Sequence, residues 1–227
     1  MKTINTPRNL IPATLASIST LPRRADKPLN ISPERKLNEN PCKTLWQQKW
    51  LKLEVVHPLV QVLADAVQAY CHRWYFYELE KTLLVIVGDF GSGKTHAAKG
   101  VFRFALAASM AAFETNKWPR ARFPQSLYLA WPECANEFND RNFSVMHDAF
   151  DNELLIIDDI GAENDPWKLC ADRLCQILSR RERMFTVSTT NVQPAQWSER
   201  FDGRINDRLL RNSVVVDLTG VPSFALR

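Results

Sequence analysis

The stretch Thr82 to Thr95 reads TLLVIVGDFGSGKT, and it constrains the rest of the chain. The apolar run Leu83 to Val87 has the length of a buried parallel strand. It runs straight into Gly88, Asp89, Phe90, Gly91, Ser92, Gly93, Lys94 and Thr95, which fit the pattern G-x-x-x-x-G-K-[ST]. Glycines let the backbone N–H groups wrap a polyphosphate with no side chain in the way. Lys94 is then placed to reach the β and γ phosphates, and Thr95 to hold Mg2+. A helix expected from about Thr95 to Phe113 turns its positive end toward the anion. His96, directly after the motif, closes the expected binding stretch.

A chain of 227 residues is long enough for one α/β domain with a substantial core. The longest apolar stretch, Phe104 to Phe113, is broken by Ser109 and too short to span a bilayer. The opening MKTINTPRNL has no apolar segment of signal-peptide length, so a cytoplasmic protein with no membrane partner is expected. Five dispersed cysteines (Cys42, Cys71, Cys134, Cys170, Cys175) form no C-x-x-C pair and read as reduced core thiols.

The charge is unevenly spread. Residues 1–43 hold eight basic and three acidic side chains, whereas the remainder holds 21 and 22. The same segment has six prolines and no glycine, and reads as an extended or disordered basic arm that either binds a partner or is simply solvated. Residues 44–227 are expected to form the folded domain. Within it, Pro58 suits a first helical position, and Leu59, Leu63, Ala66, Tyr70 and Trp74 recur at helical spacing. The cluster Trp74 to Tyr77 reads as core in preference to a base-stacking surface. The basic segment Glu114 to Gln125 reads as a solvated loop or a nucleic-acid contact.

LLIIDD at Leu154 to Asp159 is a second buried strand with two carboxylates at its C-terminal end, where ligands of open α/β sheets bind. Asp158 suits Mg2+ coordination alongside Thr95, and Asp159 is placed to polarise an attacking water. Asp165-Pro166 reads as a helix start, with Cys170, Leu174, Ile177 and Leu178 as the apolar face. Arg180, Arg181 and Arg183 then suit a helix C-terminus. The strand MFTVSTTN ends in a candidate γ-phosphate sensor, Asn191, with Thr190 as second choice. In DGRINDRLLRN, Arg204, Arg208 and Arg211 stand at i, i+4 and i+7 on one helix face, beside Ile205 and Leu209.

The order of these motifs (P-loop, LLIIDDIGAEN, STTN, then RINDRLLR before a last strand) resembles the AAA+ ATPases of the bacterial helicase-loader group, the DnaC/DnaI-like loaders and the IstB-like transposition helpers. The resemblance covers about Leu83 to Arg227. It implies a three-layer αβα P-loop NTPase of AAA+ type with a five-stranded parallel sheet, ATP and Mg2+ as cofactors, and catalysis by Lys94, Asp159, Asn191 and Arg208. Arg208 matches the arginine finger, acting in trans within a homo-oligomer, with Arg204 beside it. The arm would bind a replicative DNA helicase, and the ATPase ring would engage single-stranded DNA. Asp159 stands where many relatives carry Glu, which implies slow hydrolysis. The residues after Leu218 are too few for a C-terminal helical lid, and this compact design suggests a phage or mobile-element source. Two other readings follow from the same residues: an ATP-dependent transposition helper that binds target DNA, and a nucleotide-gated adaptor that scarcely hydrolyses ATP.

Overall fold

The computed structural model describes residues 57–115, 125–165 and 169–224. The arm 1–43, the segment 44–56, the basic stretch 116–124 and the tail end 225–227 lie outside these residues, as does Pro166.

Five parallel strands form one sheet: β1 (Leu83–Val87), β2 (Ser126–Ala130), β3 (Leu154–Ile160), β4 (Phe185–Thr190) and β5 (Ser213–Asp217), in the order β2-β3-β4-β1-β5. Alternate residues of β1 face opposite layers, and all five are buried. Leu84 and Ile86 join α1 (Pro58–Phe76) and α2 (Lys94–Thr115) in one core. Leu83, Val85 and Val87 join the other core. That second layer is built from α3 (Trp131–Asn139), α4 (Ser144–Asp151), α5 (Leu169–Arg180), α6 (Trp197–Arg200) and α7 (Gly203–Leu210). Burial of each such side chain contributes roughly 1.5–3 kcal/mol, which is why a run apolar on both faces specifies a central strand.

Helix α1 starts at Pro58, and His57 caps it by accepting the Leu59 N–H at Nδ1, 3.2 Å. Val60, Leu63, Val67, Tyr70, Cys71, Trp74 and Tyr75 are buried, so the aromatic cluster is core. Trp131 is the first residue of α3, and Pro132 after it fits the first turn of a helix. Asp165 does act as a capping acceptor, but for the Ala171 N–H at 3.0 Å, three residues into the described helix. The four described cysteines are buried and free, and burial raises the Cys134 thiol to about 11 and the Cys170 thiol to about 12.

Arg181 departs from the sequence reading. It does not decorate a helix end in solvent. The residue is 2% exposed, and its guanidinium donates to the carbonyls of Ala149, Asn152, Glu153 and Phe185 and to Thr186 Oγ1. These acceptors tie β4 to the turn that enters β3. Arg180 instead lies over the Phe150 ring at 4.6 Å.

Candidate nucleotide and metal site

The adjacent strands β3, β4 and β1 end at one level, because Val87 pairs with Thr190 and Thr190 pairs with Ile160. Their C-terminal ends therefore bring together residues far apart in sequence. From β1 comes the loop Gly88–Gly93, with positive φ at Gly88, Gly91 and Gly93. From β3 come Asp158 and Asp159, and from just beyond β4 comes Asn191.

Lys94 begins α2 and is 6% exposed. Its Nζ donates to the Asp89 carbonyl at 2.8 Å. Burial lowers its pKa, against the pull of Asp159, Asp158 and Asp89. A buried ammonium held by one carbonyl keeps donors for an anion. Thr95 Oγ1 donates to Asp158 Oδ1 at 3.1 Å.

Asp158 and Asp159 lie within an irregularity in the ladder between β3 and β4, bounded by Ile157 and Ile160, and Asp159 adopts φ +65°. A bulge of this kind re-aims side chains at a strand end. Thr189 repairs the break: its hydroxyl accepts from the Asp159 N–H at 2.8 Å and donates to Asp158 Oδ1 at 2.6 Å. Tyr128 of β2 donates its hydroxyl to Asp158 Oδ2 at 2.5 Å. Burial first, then this bond and the charge of Asp158, push the tyrosine pKa well above its usual value. Asp159 faces Asn191, whose Nδ2 donates to Oδ1 at 2.8 Å. Burial and the Asp158 charge raise the Asp159 pKa, while Lys94 and Asn191 oppose the rise.

The chain's fold is similar to that of several solved proteins. The crystal structure of DnaI superposes with a TM-score of 0.59 at 19% identity, over 80% of this chain and 92% of DnaI. The crystal structure of the DnaC helicase loader gives 0.55 at 16% identity, over 77% of this chain and 98% of that one. Domain III of the Thermotoga maritima replication initiation protein DnaA gives 0.53 at 15%, over 72% and 64%. This chain shares their fold, a five-stranded parallel sheet between two helical layers. No protein-family model matches it, and no curated protein matches its sequence.

Within this fold, Lys94, Thr95, Asp158, Asp159 and Asn191 lie together at the strand ends. Thr190, the second choice for sensor, is buried and occupied: it donates to the Ile160 carbonyl and accepts from the Val192 N–H. Phe90 is 78% exposed, and His96 is exposed in the first turn of α2, its pKa lowered by desolvation and by Arg103. Tyr128 and Thr189 are the residues sequence reasoning missed. Thr189 lay inside the STTN string. Tyr128 gave no signal, because only strand pairing brings it beside Asp158.

Arg208 does not join the cluster. Its guanidinium meets Ser179 Oγ of α5 and the Arg204 carbonyl. Helix α7 ends at Leu210, so Arg211 is its C-cap and leaves the shared face, while Ile205 and Leu209 are buried as expected. Arg204 pairs with Asp202 at 2.7 Å and Asp172 at 3.2 Å, and its hydrogen bonds pull Asp202 down to about 2. Arg211 pairs with Asp207 at 2.7 Å. Among the described residues, Arg208 alone of the three has no carboxylate partner.

The donor set fits Mg2+. Asp158 and Thr95 offer hard oxygens at the mouth of the loop, and among the described residues no group of three acidic, His or Cys side chains is arranged to hold a metal ion by itself. Mg2+ is characteristically held this way, by one or two protein oxygens together with substrate phosphates. No helix among the described residues is long and apolar enough to cross a membrane.

Proposed function

We propose that this chain is a slow Mg2+-dependent ATPase that loads a ring-shaped replicative helicase onto single-stranded DNA, working in a phage or mobile element. The observation that carries the reading is the convergence of Lys94, Thr95, Asp158, Asp159 and Asn191 on a fold shared with DnaI and the DnaC helicase loader.

In this reading Lys94 exchanges the Asp89 carbonyl for the β and γ phosphates of ATP. Thr95 and Asp158 would hold Mg2+, which when bound would neutralise phosphate charge. Asp159 accepts a hydrogen bond from the attacking water, and Asn191 fixes the carboxylate that does so. Asp159 is one methylene shorter than a glutamate, so its hold on the water is weaker and turnover slow. Arg208 of a neighbouring subunit supplies positive charge at the γ-phosphate. That it has no carboxylate partner within salt-bridge distance among the described residues supports that role, since an arginine already neutralised has less charge to offer. Residues 1–43 bind the helicase, and the assembled ATPase domains hold single-stranded DNA.

The test is helicase loading onto circular single-stranded DNA coated with single-strand-binding protein, using the replicative helicase of the host or element. ATP-dependent loading by the full chain, lost in Lys94→Ala and in a chain lacking residues 1–43, is the expected result. Loading that is independent of ATP, or absent with every such helicase, overturns the proposal.

A further inference from the structure

The segment that follows β5 runs back along the outside of the P-loop. The Leu218 N–H donates to the Val87 carbonyl at 2.8 Å, which continues the β1–β5 pairing past the end of the strand. The Gly220 N–H donates to Asp89 Oδ2 at 3.1 Å. The Phe224 N–H donates to the Gly91 carbonyl at 2.9 Å. Leu218 and Val221 are buried in the α1–α2 core, and Phe224 packs against it, so the segment is anchored.

This contact changes the meaning of two loop glycines. A Cβ on Gly88 would lie 2.8 Å from Leu218 Cβ, and a Cβ on Gly91 would collide with Ser223 Oγ. The missing side chains at these positions make room for the C-terminal segment, beyond any room they make for a ligand. At Gly91 the segment also fixes a peptide plane. The peptide is trans, so a carbonyl held outward by Phe224 sets the following Ser92 N–H on the opposite side. That N–H does point into the loop, where it shares the Asp89 carbonyl with Lys94 Nζ.

We propose that Leu218 to Phe224 is an integral part of the nucleotide site: a strap that holds the P-loop backbone in its anion-binding form, with Phe224 as a positioning residue acting through Gly91. The inference rests on the nucleotide-binding reading above. Because the strap and the triphosphate favour the same loop conformation, each stabilises the other by an equal factor.

Two measurements test it. The first compares Mg·ATP affinity by calorimetry for the full chain and for a chain ending at Pro222, with thermal melts of both. The truncated chain is expected to stay folded and to bind roughly fivefold to tenfold more weakly, the loss of about one hydrogen bond. The second, on the intact chain, follows hydrogen exchange at the Phe224 amide with and without ATP, with Lys94→Ala as the variant expected not to bind. Exchange is expected to slow with ATP in the intact chain and to stay unchanged in Lys94→Ala. Equal affinity in a folded truncated chain overturns the strap. So does unchanged exchange at Phe224 in a full chain that binds ATP, and this result decides the matter if the truncated chain does not fold. A full chain that binds no ATP overturns the nucleotide reading and the strap with it.

Discussion

Asn191 Nδ2 donates to Asp159 Oδ1 at 2.8 Å, joining two residues that are 32 positions apart and come from adjacent strand ends. The bond holds a carboxylate whose pKa is raised by burial and by Asp158, and it acts against that rise. If Asp159 must be ionised to polarise water, turnover falls as pH drops through this raised pKa. Removing the amide in Asn191→Ala raises the pKa further. The acid limb of the rate profile is therefore expected to move to higher pH, with Mg·ATP affinity little changed. Turnover against pH for both proteins checks this, and an unshifted limb contradicts it. Asp159→Asn removes the carboxylate proposed to polarise the water and is expected to cost about 10²-fold or more in turnover.

Tyr128 acts one shell further out. Its hydroxyl occupies Asp158 Oδ2 while Thr95 and Thr189 bond Oδ1, so the carboxylate is held at both oxygens. Tyr128→Phe keeps the ring against Phe102 and removes only the donor. The Mg2+ concentration for half-maximal activity is expected to rise about tenfold, in the range seen when partners of metal ligands are removed. Nucleotide affinity measured without Mg2+ should be unaffected.

The central part of this fold was legible because the chemistry is local. LLVIV followed by the glycine-rich turn specifies a strand and a phosphate cradle within 14 residues, and LLIIDD specifies a second strand end. Helix α1 was legible from its apolar spacing. Helices α3 and α4 were not read, because each offers only two to four buried side chains among acidic ones, too few for a period to emerge. Tyr128, Arg181 and the strap share a different reason. Each acts through backbone groups or carboxylates on other elements, and such pairings leave no mark on spacing within one segment.

Arg181 provides a prediction about stability. Arg181→Met fits the volume but leaves the buried carbonyls of Ala149 and Phe185 without their donor. A loss of about 3 kcal/mol or more is expected, since stranded buried acceptors cost about 1–3 kcal/mol each. Arg181→Lys should fall between, because an ammonium cannot span the same fork of acceptors. Urea denaturation with an unchanged m-value checks this, and a change under 1 kcal/mol contradicts it.

The most direct measurement of the central claim, a Mg·ATP site completed by a second subunit, is a mixing experiment. Lys94→Ala removes the ammonium proposed to bind phosphate but keeps Arg208, while Arg208→Ala keeps the P-loop but lacks the proposed finger. Each alone should hydrolyse ATP far more slowly than the unaltered chain, and an arginine finger in well-studied GTPases is worth about 10³–10⁵ in rate. Steady-state phosphate release is then measured for the two variants mixed in varying ratio. The expected result is a rate that rises above either variant alone and peaks in the mixture, as intact loops meet intact fingers. A mixture that stays inactive although both variants are folded and assemble, or an Arg208→Ala variant that hydrolyses ATP at the unaltered rate, contradicts it.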